Sequence, residues 1–509
     1  MKKNICLLLI CTLALLAIYT PGQAQATVKN SDEMYRPRIH FTPAAHWMND
    51  PNGMVFYKGV YHLFFQYHPY SSVWGPMHWG HATSKDLVHW QRLPIAIYPD
   101  SNGTIFSGSA VVDKNNTSGF GKNGRPPLVA IYTQHNMEGE KAGRNDYQTQ
   151  SIAYSNDEGK TWVKYKANPV IKNPGTKDFR DPKVMWYEPQ KKWVMSLSVK
   201  DFIAFYSSPD LKNWRKESEF GAGRGAHGGG WECPDLFSLD DNGTQRWVLI
   251  ANLNPGGPNG GSGTQYFIGD FDGKTFSSTQ KETRWLDYGP DDYAGITWSN
   301  TGKRKIFLGW MSNWIYANLV PTETFRNAMT IPRELKIKHV GSQIFVASEP
   351  VAELAAFELR PVVIKNIEVK KRFNPFEKNG LVKFPMRLNL SIETATDFSL
   401  ALSNNVGDTL LVGYDKKNNQ YFIDRTKSGK TAFNKDFAAR HIAPRLITTP
   451  KMNINLLIDV SAVELFADDG LTVMTSVFFP NKPYNKINIL APQNMLIKKL
   501  EYAGLPGIW

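Results

Sequence analysis

Three short acidic segments carry the residue types that could do chemistry: Trp47-Met48-Asn49-Asp50-Pro51-Asn52-Gly53, Phe179-Arg180-Asp181-Pro182 and Trp231-Glu232-Cys233-Pro234-Asp235-Leu236-Phe237. Each sets a carboxylate beside a proline, a glycine or an aromatic ring. They lie far apart in the chain, the pattern of loop residues that a rigid β scaffold gathers into one pocket. Cleaving a glycosidic bond needs a nucleophile and a proton donor about an anomeric carbon whose transition state resembles an oxocarbenium ion. Two of these carboxylates meet that need, and the third can bind sugar hydroxyls.

Asp50 is the expected nucleophile, with Asn49 and the Asp50-Pro51-Asn52-Gly53 turn holding its carboxylate rigid and ionised through hydrogen bonds. Glu232 is the expected general acid and base. It must start protonated, helped by partial burial near Trp231 and by the neighbouring negative charges, and Asp235 in the same segment is an alternative acid. Asp181 is read as the transition-state stabiliser, with Arg180 orienting it or a hydroxyl. Taken singly, the first segment reads as a good turn and the Arg180-Asp181 pair as a structural ion pair. Their joint occurrence favours chemistry.

The elements that must position these residues are strands. From about residue 36 to 338 short apolar or alternating runs, such as Met54-Val55-Phe56-Tyr57 and Tyr61-His62-Leu63-Phe64-Phe65, are punctuated by Gly, Asn, Asp and Pro. A turn signal recurs in Ser84-Lys85-Asp86-Leu87-Val88-His89-Trp90, Ser155-Asn156-Asp157-Glu158-Gly159-Lys160-Thr161-Trp162, Ser208-Pro209-Asp210-Leu211-Lys212-Asn213-Trp214 and, more weakly, Asp270-Phe271-Asp272-Gly273-Lys274-Thr275-Phe276. Degenerate β units tens of residues apart point to a propeller. Residues 348–361 read as a helical connector, with Ser348 as cap and Pro361 as block. Beyond it, Met386-Arg387-Leu388-Asn389-Leu390-Ser391-Ile392 alternates without a break. With runs at 409–414, 454–458 and 473–479 it reads as a β-sandwich over 362–509.

Residues 1–26 read as a cleaved targeting segment: Lys2 and Lys3, an apolar run over 5–17, and the small-residue end Ala24-Gln25-Ala26. Ile10 stands before Cys11 where a lipoprotein signal would place a small residue. The run is shorter than the ~20 residues of an ordinary membrane span, and no other long apolar stretch follows, so no membrane span and a periplasmic or extracellular location are expected. After cleavage Cys233 is the single cysteine, and packing rather than a disulfide must stabilise the exported chain. The net charge of +13 is spread without a Lys/Arg block, and no nucleic-acid recognition motif accompanies it, so nucleic acid is not an expected partner.

Asn49-Asp50-Pro51-Asn52-Gly53, Arg180-Asp181-Pro182 and Glu232-Cys233-Pro234-Asp235 resemble, in this order, the three signature motifs of glycoside hydrolase family 32, the invertases, inulinases and levanases. The likeness extends through Phe64-Phe65-Gln66-Tyr67-His68-Pro69, Trp74-Gly75-Pro76-Met77-His78-Trp79-Gly80-His81, Phe106-Ser107-Gly108-Ser109, Gly309-Trp310-Met311-Ser312-Asn313-Trp314 and, near the C-terminus, Val463-Glu464-Leu465-Phe466. It is strongest to the exo-acting levanases. The resemblance implies an all-β fold, a five-bladed β-propeller over 27–347 followed by the sandwich, with the pocket at the central channel. It implies a retaining β-fructosidase acting on fructan or sucrose without metal or cofactor, with Glu232 as acid and base. It completes the sugar pocket with Trp47, Asn49, Gln66, Trp74, Phe106, Ser107, Arg180 and Trp314, although Trp310 lies close enough to compete with Trp314. Endo action, fructosyl transfer or plain glycan binding on the same propeller are the alternatives.

Other motifs carry less. His78-Trp79-Gly80-His81 lacks a third ligand at zinc-like spacing and has no His-Glu-x-x-His pattern, so hydrogen-bonding or packing histidines are expected rather than a metal site. Gly223-Arg224-Gly225-Ala226-His227-Gly228 spells a dinucleotide fingerprint without a strand-turn-helix setting, and with the glycine-rich 256–263 it reads as a mobile loop at the active site.

Overall fold

The computed structural model describes residues 33–377 and 382–508; the targeting segment at 1–26 lies outside them. Five antiparallel sheets, each built on four strands, follow one another over residues 46–97, 104–164, 179–220, 230–277 and 293–350. Their innermost strands are His46–Tyr57, Thr104–Val112, Phe179–Tyr187, Gly230–Asp241 and Tyr293–Thr297, and each touches the next in a closed cycle. This is a five-bladed propeller, with blades I to V in chain order.

The recurring aspartate turns join the third and fourth strands of blades I to IV. In each, an aspartate oxygen accepts backbone N–H groups two to four residues on, as Asp86 does from Val88 at 2.9 Å and His89 at 2.8 Å, and Asp210 from Lys212 and Asn213. The next residue takes the left-handed conformation: φ is 63° at Leu87, 63° at Glu158, 65° at Leu211 and 94° at Gly273. The ring that ends each turn then packs inward or caps it. Trp90 and Phe276 are buried, and Trp162 and Trp214 bond back to the turn through their indole N–H.

Two six-stranded sheets form the sandwich over 362–504. Met386–Ile392 is the strand its alternation predicts, with Met386, Leu388, Leu390 and Ile392 in the core. Burying each such side chain stabilises the fold by about 1.5–3 kcal/mol. The expected helix over 348–361 does not form. Strand Gln343–Pro350 runs through Ser348, which pairs with Leu335, and only a 3-10 helix, Ala352–Phe357, follows with no side-chain cap. The strand register with Leu335, together with the Ser348 N–H bond to Gly470 O of the sandwich at 2.9 Å, outweighs local helix preference.

The two domains meet across buried charge. His40 lies between Asp459 and Glu464, at 2.8 Å from each. Arg333 of blade V reaches Glu464, Asp287 and Asp292, and Arg425 of the sandwich reaches Asp291 at 2.8 Å. Glu464, from the Val463-Glu464-Leu465-Phe466 likeness, is thus a fastening between domains. Breaking one such buried pair typically costs about 3–5 kcal/mol, because the remaining charge is left uncompensated.

Candidate active site

All five innermost strands carry a β-bulge near their starts. Register shifts fall between Met48 and Pro51, Ile105 and Gly108, Arg180 and Lys183, Glu232 and Asp235, and Tyr293 and Ile296. A bulge re-aims side chains that regular alternation would send sideways, and here it turns Asp50, Ser107, Asp181, Glu232 and Tyr293 toward one mouth of the channel. Pro182 and Pro234 sit within bulges, where a missing N–H takes nothing from the ladder. The acidic segments are therefore strand starts rather than the expected loops and turn. Gly53 is required at φ 56°, where a Cβ would lie 2.6 Å from the Trp79 ring and 2.7 Å from that of Phe64.

Three bulge residues, Asp181, Cys233 and Ala294, hold φ of 63°, 42° and 54°. For residues other than glycine this costs on the order of 1–3 kcal/mol each. Hydrogen bonds at the site offset the cost: Asp181 N–H donates to Thr133 Oγ1 at 2.9 Å, and Cys233 N–H to Asp181 Oδ2 at 3.0 Å.

Asp50, Asp181, Glu232, Asn49, Gln66, Trp74, Phe106, Ser107, Arg180 and Trp314 line one cavity of about 230 Å³. Trp47 does not. It is fully buried, donates from Nε1 to Asn49 Oδ1 at 2.7 Å and stacks on Trp314 with centroids 5.8 Å apart, so it orients two pocket residues instead of touching ligand. That bond fixes the Asn49 amide so that Nδ2 donates to Asp50 Oδ1 at 2.9 Å. Trp310 is likewise buried, bonded to Met48 O, which leaves Trp314 as the tryptophan of the pocket wall.

Asp50 Oδ2 accepts from Ser107 Oγ at 2.7 Å and faces the Cys233 thiol at 3.5 Å. Burial pushes the Asp50 pKa up and Glu232 adds to this, while the Ser107 and Asn49 bonds pull it down. Asp181 is raised to about 7, first by burial and then by Glu232 and Asp50, against Arg180 and the Cys233 N–H. The Cys233 thiol is held well above its usual range by burial and the carboxylates around it, and stays protonated. Glu232 is partnered by a cation and a phenol: Arg180 Nη2 at 2.6 Å on Oε1, and the Tyr293 hydroxyl on Oε2. Trp231, expected to help bury it, instead packs into blade IV with Nε1 on Ala226 O. Asp235 is not at the pocket; it is bound to Thr297 and Lys183, which removes it as the alternative acid.

His135, Glu140, Gln148 and Asp178 also line the pocket and were not expected from sequence. Asp178 precedes Arg180 by two and holds its Nη1, a signal within reach; the others lie outside any motif. Residues 223–230 and 256–263 do not line it. The first of these loops is tied by Ala226 and His227 to Gln265 and Asp201, and no helix follows its glycines. His81 stacks on Phe64 with centroids 4.1 Å apart and shares a hydrogen bond of 3.1 Å between its Nε2 and His62 Nδ1.

Residues 40–348 match the Glycosyl hydrolases family 32 N-terminal domain and residues 353–502 the family 32 C terminal. The chain belongs to glycosyl hydrolase family 32. It is 46% identical over 525 aligned positions to a levanase of Bacillus subtilis, covering 100% of this chain and 76% of the relative. To an extracellular exo-inulinase of Aspergillus niger it is 40% identical, covering 89% and 91%. Among solved family 32 relatives, the exo-inulinase of Aspergillus awamori superposes with a TM-score of 0.86 at 36% identity, covering 94% of this chain and 99% of that one. A fructofuranosidase of Schwanniomyces occidentalis complexed with fructose gives 0.84 at 33% identity, covering 93% and 99%.

Proposed function

We propose that the protein is an exported, retaining β-fructosidase that releases fructose from the ends of fructan chains and also splits sucrose. The observation that carries this reading is the convergence of Asp50, Asp181 and Glu232, from the bulged starts of three different blades, on one pocket. Asp50 attacks the anomeric carbon while Glu232 gives a proton to the departing oxygen, forming a fructosyl ester on Asp50. Water then attacks that carbon, Glu232 takes its proton, and Asp50 leaves. Asp181 binds fructosyl hydroxyls that tighten as positive charge develops. Gln66 Nε2, buried on the pocket wall without a partner among the described residues, is placed to donate to another hydroxyl.

A volume of about 230 Å³ supports exo action. It lies below the roughly 300–1,000 Å³ of typical sites for larger ligands and suits one terminal unit. Export is supported by the segment at 1–26, and no helix among the described residues is long and apolar enough to cross a membrane. Incubation with levan and sizing of the products tests the reading. Free fructose from the first time points is expected. Oligomers would mean endo action, longer chains transfer, and unchanged levan a binder.

A further inference from the structure

Twelve large hydrophobic side chains are exposed among the described residues, and the two aromatic ones are Tyr70 and Tyr98, 73% and 53% exposed. Both stand on the pocket's face of the propeller. Strand His46–Tyr57 starts at that face with Asp50, strand Val60–His68 returns to it, strand His78–Ser84 leaves it and strand Gln91–Ile97 returns again. The segment carrying Tyr70, and Tyr98 directly after Ile97, therefore lie at the pocket's end of this blade. Two of the other exposed side chains, Val73 and Ile315, adjoin the pocket tryptophans Trp74 and Trp314 in sequence.

These rings are held in place. Each tyrosine meets the edge of His78, at 5.7 Å for Tyr70 and 5.6 Å for Tyr98. His68, in contact with Tyr70 at 6.1 Å, fixes the loop through Val73 O at 2.9 Å. Lys164 Nζ holds Tyr98 O at 2.5 Å, and the loop carrying Tyr70 runs on to Trp74 of the pocket wall, whose N–H bonds Asn318 Oδ1 at 2.9 Å. Two fixed, solvent-facing tyrosines offer flat apolar faces and hydroxyls at once, the surface a neutral sugar chain binds through its C–H faces and hydroxyl groups.

We infer that Tyr70 and Tyr98 form an outer binding site for the fructan chain, contacting units beyond the terminal one held in the pocket. The inference rests on the fructosidase reading and adds to it a device that acts on polymer and not on sucrose, which is too short to extend past the pocket rim.

The test is a Tyr70→Ala/Tyr98→Ala variant, with KM and kcat measured on levan, on inulin and on sucrose. KM for at least one polymer should rise on the order of fivefold to tenfold, as loss of aromatic contacts would give, with both sucrose constants unchanged. The Tyr70→Phe/Tyr98→Phe variant, which keeps the rings, should recover most of the affinity. Constants that move equally on polymer and sucrose, or on neither, would overturn the outer site. So would a sedimentation coefficient that falls on substitution, since the patch would then join copies of this chain. Activity on sucrose with none on polymer would sink this inference alone; no activity of the unsubstituted protein on any of the three would sink the fructosidase reading with it.

Discussion

Arg180 bridges two carboxylates of the pocket, with Nη2 2.6 Å from Glu232 Oε1 while Asp178 holds Nη1 of the same guanidinium. One planar fork thereby sets the position of the proposed acid relative to Asp181, whose Oδ2 is 3.9 Å from Arg180 Nε. A lysine keeps the charge but cannot span both carboxylates. Arg180→Lys should therefore lower kcat/KM on sucrose by about two orders of magnitude, as a misplaced catalytic group does, with the circular dichroism spectrum unchanged. Near-normal kinetics would show that the fork is only structural.

Glu232→Ala should damage substrates with poor leaving groups most. An activated β-fructoside, whose leaving group needs no proton, should still form the fructosyl ester, and azide should then speed turnover by replacing the water that Glu232 can no longer activate. Equal losses on both substrate types, with no azide effect, would remove Glu232 from the acid and base role.

Asp181 links catalysis to stability. Its folded pKa of about 7 lies above the ordinary carboxylate value near 3.9, so between those values the folded state binds more protons than the unfolded one. Its contribution to stability is then lost progressively as pH rises from about 4 to 7. Asp181→Asn has no charge to bury and its amide oxygen can still accept the Cys233 N–H. The variant should melt at about the same temperature as the parent near pH 4 and several degrees higher near pH 8, while activity falls on the order of 10²–10³-fold. A melting difference that does not vary with pH would contradict the assignment.

His40 works in the opposite sense. Burial alone would lower its pKa, but the hydrogen bonds and charges of Asp459 and Glu464 outweigh this and raise it to about 9. The stabilisation is fully present below the unfolded value of about 6.5 and is lost as pH rises through 9. Thermal melts should decline across that window, and His40→Gln should flatten the decline while costing about 3–5 kcal/mol at pH 6. An unaltered slope in the variant would place the pH dependence elsewhere.

Much of this arrangement was legible in the chain. The aspartate turns of four blades carry local side-chain to backbone bonds, so they leave a sequence signal; blade V closes its outer strands with Val340-Gly341-Ser342, which has no aspartate, and cannot be counted from the repeat. The strand at Met386–Ile392 was visible because only one of its faces is buried. The three acidic segments were found, but not as strands, since a bulge is set by pairing with the neighbouring strand, as between Glu232 and Asp235. Tyr293 was missed because nothing near it in sequence reveals that blade V aims its hydroxyl at Glu232. Trp47 was misplaced for the same reason: its role is set by contacts to Asn49 and Trp314.

The most direct test of the account is the turnover of Asp50→Asn on sucrose and levan, measured beside its melting curve. The asparagine can keep contacts with Asn49 and Ser107 but cannot form the fructosyl ester, so a folded protein with kcat reduced by several orders of magnitude is expected. A folded variant that retains a substantial fraction of the parent's kcat would show that Asp50 is not the nucleophile and that the pocket works by another mechanism.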